Sequence, residues 1–525
     1  MILLFSAGVR IHFREQPFER DEGEYAYAGQ LILDGIPPYK LAYNMKFPGT
    51  YLAYAALMAV FGETVSGVHV GFILVNSCGI IMVYLLSARL AGRAAGVVAA
   101  AIYAQGSLSI QFLGASAHAT QFLAPAAIGG LLLLLRGLDG RRLTEFFFSG
   151  FLLGIATLMK QHGAFFVIFA GLFLVSQFAP RREWGHLLRT LLVYSAGVAL
   201  PLAATGLWLW RAGVFHTFWF WTFDYARQYA SEFKGTAVLW FDLRLYTPPL
   251  FISTLAAGLP GLVIVWRRFP RSTALFISGL LVTALLAIIP GFNFWPHYFI
   301  LPLPVTALLT AITVVALGEW LHGRAPGIGR IIPYVLLAVI MTFSMVREFQ
   351  RLLAVAPREI PRLIYGWQHP FAESEPIAAY LKAHTTPAGT IAVLGSEPQI
   401  YFYAHRHSAT GYLYTYALME HQVFASQMQR EMIQEIESNR PLYLVWVRLE
   451  ASWMPHADSD LTIFNWLRSY VPSHYDVVGA VEVSERPTEY YWDAEAPAHA
   501  ASARILVFKR TASQSPRNID DNTGR

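Results

Sequence analysis

The sequence predicts a polytopic α-helical membrane protein carrying a small α/β domain at its C-terminal end. Three observations predict it. The 525 residues are 55% hydrophobic and only 14% charged, against roughly 25% charged in an ordinary soluble domain. Apolar runs such as Val65 to Leu90 and Leu191 to Trp210 recur along the first two thirds of the chain, and about 18 or more apolar residues in succession suffice to cross a bilayer. After residue 350 the chain turns mixed-polar, with short β-type runs separated by helical stretches.

The apolar segments place about eleven spans, at roughly 1–13, 67–88, 94–112, 119–135, 146–159, 163–178, 190–210, 248–266, 272–290, 297–318 and 331–349. The first is short for a span and has no small-residue cleavage site, so it reads as a helix rather than a signal peptide. Arginines gather in alternate loops: Arg89 and Arg93, then Arg136, Arg141 and Arg142, then Arg181, Arg182 and Arg189, then Arg267, Arg268 and Arg271, then Arg324 and Arg330. The positive-inside rule puts these loops and the N-terminus in the cytoplasm. The loops at 14–66, 113–118, 160–162, 212–247 and 291–296, and everything beyond about residue 350, then face outward. The expected location is a multi-pass position in a cytoplasmic membrane. The net charge of +5 is a topology signal and not a nucleic-acid footprint. Cys78 is the only cysteine, which excludes an intrachain disulfide and a cysteine metal site.

The domains read as a transmembrane body over 1–350, an outer α/β domain over 351–510, and a polar, disordered tail over 511–525. Strands are expected at 390–395, 442–447 and 475–481, with helices at about 373–384, 420–438 and 459–470. Internal repeats of the kind seen in duplicated transporters are not evident. P-loop and dinucleotide fingerprints are lacking too, which argues against a soluble nucleotide substrate.

The outer loop 14–66 carries the most pointed chemistry. Asp21, Glu22, Glu24 and Asp34 lie within fifteen residues beside a bilayer. Carboxylates there need water, a partner or a reaction. Residues 21–33 fit a helix at the membrane interface, with Tyr25, Ala28, Leu31 and Ile32 at helical spacing and Gly35, Pro37 and Pro38 ending it. A plain reading makes Asp21 an N-cap, with Glu24 completing a capping box. Two further outward loops bring Lys160-Gln161-His162 and Trp295-Pro-His297-Tyr298, and His118 and Gln121 enter a span from Gly114 onward. A lysine inside the bilayer costs about 2.5–3.5 kcal/mol. Snorkelling to the interface is one explanation of Lys160, and holding an anion is the better one. An aromatic belt covers Trp295 easily and His297 less easily. A carboxylate that can accept a hydroxyl proton and a lysine that can hold a phosphate suit a reaction on a lipid-phosphate substrate.

Motifs in the same order occur in a known family. Asp21-Glu22-Gly-Glu-Tyr25, Asp34-Gly-Ile-Pro-Pro38-Tyr39, Lys46-Phe-Pro48-Gly49, Leu158-Met-Lys160-Gln161, Asp224-Tyr225-Ala-Arg-Gln-Tyr229, His297-Tyr298-Phe-Ile-Leu-Pro302-Leu-Pro304 and Gly395-Ser-Glu397-Pro398-Gln-Ile-Tyr401 together resemble family 39 glycosyltransferases. These have the GT-C fold and comprise protein O-mannosyltransferases and lipid A aminoarabinose transferases. The resemblance implies a sugar donor on a polyprenyl phosphate, an acceptor hydroxyl on protein, lipid or glycan, and inversion at the anomeric carbon. Carried over by position, Asp21 is the catalytic base with Glu22 beside it, and Lys160 holds the donor phosphate. His297 and Tyr298 line the cavity or lipid groove, and His118, Gln121, Tyr39 and Tyr43 count with the substrate-binding residues. Some relatives have a second acid where this chain has His118 and Gln121. That weakens the case for a divalent metal: a lone histidine more often serves as a hydrogen-bonding residue than as a ligand, so no ligand is assigned and metal dependence stays open. The rival reading is a polyprenyl-lipid or glycan transporter without transferase activity, which calls for polar residues near mid-membrane. Here they sit at the outer helix ends.

Overall fold

The computed structural model describes residues 1–231 and 235–511. The chain divides into two compact units, Met1–Ile364 and Tyr365 onward, so the division falls after residue 364 rather than after 350. Most of the tail expected at 511–525 lies outside the described residues.

In the first unit every expected span coincides with a helix. By length and composition seven described helices can cross a membrane: Val65–Ala91, Ala119–Gly140, Gly163–Arg181, Trp184–Arg211, Pro249–Arg268, Leu303–His322 and Ile328–Gln350. Ile2–His12, Leu143–Met159 and Arg271–Leu286 are shorter apolar helices, and Arg93–Leu108 is the remaining expected one. Two boundaries differ from the sequence reading for reasons of proline and glycine. The expected span 272–290 ends at Leu286, before a turn at Gly291 with φ +80. The expected span 297–318 begins at Leu303. Pro302 precedes it, and Pro296–Ile300 forms a separate short 3-10 turn, so His297 and Tyr298 stand before the helix and not inside it.

Helices cross closely where glycine removes the side chain. A Cβ on Gly150 would lie 2.1 Å from the Tyr194 carbonyl oxygen, and one on Gly197 would lie 2.1 Å from that of Phe147. Helices Leu143–Met159 and Trp184–Arg211 therefore touch backbone to backbone, as small residues allow in membranes. The buried apolar core runs through Ile102, Leu123, Leu131, Leu153, Phe276 and Leu308.

The loop 14–66 folds into two helices, Arg20–Leu33 and Gly49–Phe61. The first ends at Gly35 with φ +79, where the Ile36 N–H bonds the Leu31 carbonyl at 2.8 Å, a Schellman-type stop. The described part of the loop 212–247 is largely helical as well, with a π-helical stretch at Phe220–Tyr225. Its Phe218 packs on Tyr39 and Phe47, so residues 39–47 rest on this segment.

The second unit is a five-stranded sheet in the order β1-β2-β5-β3-β4, where β1 is Ile391–Leu394, β2 Tyr443–Val447, β3 Tyr475–Glu482, β4 Glu489–Trp492 and β5 Ile505–Arg510. β1 and β2 run parallel, with Val393 opposite Val445, and the remaining pairs are antiparallel. Helices Ser374–His384, Ala425–Asn439 and Thr462–His474 match the expected helices to within a few residues. β4 and β5 were not expected. The β4 run, Glu-Tyr-Tyr-Trp, is too short to show a period, and β5 ends in Lys-Arg.

Candidate active site

The first turn of helix Arg20–Leu33 sets the geometry. Its N-cap is Glu19, whose side chain accepts from the Glu22 N–H at 2.9 Å, and not Asp21. Asp21 and Glu22 lie in the first turn, where carboxylates complement the helix dipole. Successive helical residues point about 100° apart, and residues three apart share a face. Asp21 and Glu24 therefore point the same way, and both reach Lys46: its Nζ is 2.7 Å from Asp21 Oδ1 and 2.6 Å from Glu24 Oε2. Lys46 also sits 4.7 Å from the centre of the Tyr25 ring. Glu24 accepts a further short bond from the Tyr51 hydroxyl. This use of Glu24 replaces the capping-box reading.

Glu22 points elsewhere. It is fully buried, and its Oε1 lies 3.0 Å from His69 Nε2 and accepts from the Ala117 N–H at 2.7 Å. The Tyr54 hydroxyl donates to the Ala117 carbonyl at 2.8 Å. Both sides of this peptide are gripped, which fixes the position of His118, the next residue. Glu22 therefore holds the backbone of Ala117, the residue before His118, and does not pair with Lys46 as Asp21 does.

His118 stacks on His297, with ring centroids 4.3 Å apart and planes at 8°. Its Nδ1 lies 3.8 Å from both Asp21 Oδ2 and Glu19 Oε1. His297 meets Tyr298 edge-on at 4.8 Å, and the Tyr298 ring carries Lys160 Nζ at 4.2 Å and His162 at 4.9 Å. Asp21, His118, His297, Tyr298 and Lys160 thus form one continuous cluster from four separate chain segments. The loop before His297 is held in an unusual shape, with Phe292 and Phe294 both at positive φ, a local strain often found at functional sites.

Segments 45–50 and 158–161 are clamped together. The Thr50 hydroxyl donates to the Met159 carbonyl at 2.8 Å, and Gln161 Nε2 donates to the Met45 carbonyl at 2.5 Å. A Cβ on Gly49 would sit 2.5 Å from the Leu158 carbonyl carbon and oxygen. Gly49→Ala should therefore destabilise the protein by about 1–3 kcal/mol, the usual penalty of overpacking. A thermal unfolding midpoint equal to wild type in detergent would contradict this close approach.

Three expected residues have other partners. Gln121 is buried, its carbonyl accepting from Arg10 Nη2 at 3.2 Å and its amide donating to the Ser116 carbonyl at 3.3 Å. Tyr39 is buried at φ +65 and donates to the Lys46 carbonyl at 2.6 Å, which braces Lys46 from behind. Tyr43 stacks on Trp221 at 5.8 Å. Lys46 is a site residue that the motif alone does not single out; the i, i+3 acid pair is the signal that points to a nearby cation.

The electrostatics separate the groups. Burial raises the Asp21 carboxyl, but Lys46 and His118 outweigh it and hold Asp21 ionised, well below the usual carboxylate range. Burial and the neighbouring Asp21 push Glu19 up to about 7. Burial works against a charged His118, yet Glu19 and Asp21 raise its pKa, while burial and His118 hold His297 neutral and well below its ordinary value. Burial lowers the Lys160 ammonium to about 7, and among the described residues Lys160 makes no ion pair.

Asp21, His118 and His297 each offer a ligand atom, all within 4.8 Å of one another. Among the described residues, both ring nitrogens of His118 and Nδ1 of His297 are buried without a hydrogen-bond partner. One carboxylate and two imidazoles therefore fit a divalent cation. Bound there, it would supply Lewis-acid stabilisation of phosphate charge. The sequence could not assemble this donor set, because its members lie at positions 21, 118 and 297.

Residues 46–210 match the family model described as dolichyl-phosphate-mannose-protein mannosyltransferase. No curated protein sequence matches the chain. Among solved structures, ArnT from Cupriavidus metallidurans bound to undecaprenyl phosphate is similar at TM-score 0.61 and 17% identity, covering 98% of this chain and 97% of that one. The Archaeoglobus fulgidus oligosaccharyltransferase in the apo form aligns at TM-score 0.54 and 14% identity over 94% of this chain and 74% of that one. AglB from the same organism, in complex with an inhibitory peptide and a dolichol-phosphate, aligns at TM-score 0.50 and 13% identity, with the same coverage. The resemblance carried by the sequence motifs is borne out: the chain has the GT-C fold of membrane glycosyltransferases.

Proposed function

We propose that the protein transfers a sugar from a polyprenyl phosphate to an acceptor hydroxyl, with Asp21 as the base. The observation that carries this reading is the pairing of an ionised carboxylate, Asp21, with a lysine that has no ion-pair partner among the described residues, Lys160, across one cluster of aromatic and imidazole rings. The similar ArnT structure holds undecaprenyl phosphate and the similar AglB structure a dolichol-phosphate, which supports a polyprenyl-phosphate donor.

In this mechanism the acceptor hydroxyl enters beside Asp21, whose side chain is 23% exposed. The hydroxyl proton passes to Asp21 as the oxygen bonds to the anomeric carbon. The bond from that carbon to the phosphate oxygen breaks, and its electron pair leaves on the phosphate. Lys160 receives that charge, and Lys46 keeps Asp21 ionised between turnovers. A single displacement with one carboxylate at the reacting carbon inverts its configuration. The arginine-bearing loops support a cytoplasmic N-terminus, a site outside the inner membrane, and a second unit on that same outer side.

The test supplies the purified protein with an undecaprenyl-phosphate-linked sugar and a membrane extract as acceptor. The reading expects free undecaprenyl phosphate and an inverted sugar in the product. A retained configuration would contradict the single displacement. Absence of release across a panel of donor sugars would contradict the transferase itself. The transport alternative draws no support from the cluster, whose members sit at helix ends.

A further inference from the structure

Glu24 invites a closer look, because it reads as structural in the sequence yet touches the charge at the centre of the site. It is 1% exposed. Its two oxygens are divided between two partners, the Tyr51 hydroxyl on one and Lys46 Nζ on the other. Tyr51 is itself fully buried on the neighbouring helix Gly49–Phe61; the Tyr25 ring lies tilted against it at 6.1 Å and meets Tyr54 edge-on. The carboxylate therefore has no room to change rotamer. Lys46, by contrast, comes from an irregular segment and is 20% exposed. A flexible four-carbon side chain on a loop loses considerable entropy when it is held in one place.

We propose that Glu24 is a positioning residue: anchored by Tyr51, it holds the Lys46 ammonium against Asp21 so that the reacting carboxylate keeps one place and orientation. The inference rests on the transferase reading for its functional consequence, but not for its geometry. Glu24, Asp21 and the Tyr25 ring all hold Lys46. The Tyr39 hydroxyl on the Lys46 carbonyl fixes the main chain from the other side. Removing the Glu24 anchor takes one of two carboxylates from Lys46, and both side chains gain freedom. A misplacement of a catalytic group by about 1 Å costs on the order of 100-fold in rate.

Two near-isosteric variants test this, Glu24→Gln and Tyr51→Phe. Amine labelling of the intact, purified protein at one pH, read by mass spectrometry, reports each lysine separately. The expected result is a severalfold faster labelling of Lys46 in both variants, larger for Glu24→Gln, with the exposed Lys40 and the ring-stacked Lys160 unchanged as internal controls. With whichever donor the wild type turns over, kcat falls while the donor KM stays near wild type, because Lys160 is untouched. Tyr51→Phe removes one hydroxyl and keeps the ring, so it decides the matter should Glu24→Gln fail to fold. Wild-type labelling of Lys46 in the folded variants would overturn the inference, as would a KM rise at unchanged kcat. Uniform labelling of all three lysines would also overturn it, since that marks a merely structural role. If no donor is turned over, the transferase reading fails while the labelling still decides whether Glu24 holds Lys46.

Discussion

Asp21→Asn is expected to lower kcat for sugar transfer by about 1,000-fold, within the usual contribution of a positioned general base. Asparagine keeps the shape of the side chain, and its carbonyl can still accept from Lys46, so the first turn of Arg20–Leu33 should stay folded. The amide cannot accept the hydroxyl proton. Donor KM should change little, because the phosphate is received at Lys160, on a different chain segment. The measurement is release of undecaprenyl phosphate at saturating donor, with unfolding temperature as the control. Turnover at the wild-type rate in a folded Asp21→Asn protein would remove Asp21 as the base and direct attention to Glu19 or His118, its titratable neighbours.

Lys160→Ala is expected to weaken donor binding by about 2 kcal/mol, roughly 30-fold, the scale of a charge-assisted bond lost from a buried anion. The pH dependence is more diagnostic than the size. Burial lowers the Lys160 ammonium to about 7. Without donor it is charged below that pH and neutral above it. A phosphate favours the charged form, so binding above pH 7 must take up a proton. Donor affinity should therefore be highest below about 7 and fall as pH rises, by at most about tenfold per pH unit. Lys160→Ala should be flat across that window. Lys160→Arg should stay charged and bind without the decline, since a guanidinium keeps its proton. Equal slopes in wild type and Lys160→Ala would contradict the assignment.

Much of the architecture was legible in the sequence, because spans follow from apolar length alone. Residues 65–91 and 184–211 are long enough to need no other evidence. The boundary at 297–303 was misplaced because composition does not register that Pro296 and Pro302 split one apolar run into a turn and a helix. In the second unit β1, β2 and β3 were visible as apolar β-branched runs, whereas β4 gains its place by pairing with β3, and β5 by pairing with both β2 and β3.

The site was half legible. The i, i+3 spacing of Asp21 and Glu24, read from sequence as a capping box, puts both on one helix face, where they share Lys46. The identity of the N-cap was not legible, because Glu19 lies before the apolar-periodic segment. Nor was the role of Glu22: adjacent letters suggest a pair, while a helix turns them about 100° apart. The stacking of His118 on His297 joins residues far apart in the chain and has no signature in local sequence.

The most direct measurement of the central claim reconstitutes the protein in vesicles with an undecaprenyl-phosphate-linked sugar and an acceptor extract, and counts two products together. The account predicts one undecaprenyl phosphate released for each sugar transferred, with both products lost in Asp21→Asn. Movement of the intact lipid-linked sugar between leaflets, with no release and no effect of Asp21→Asn, would contradict it.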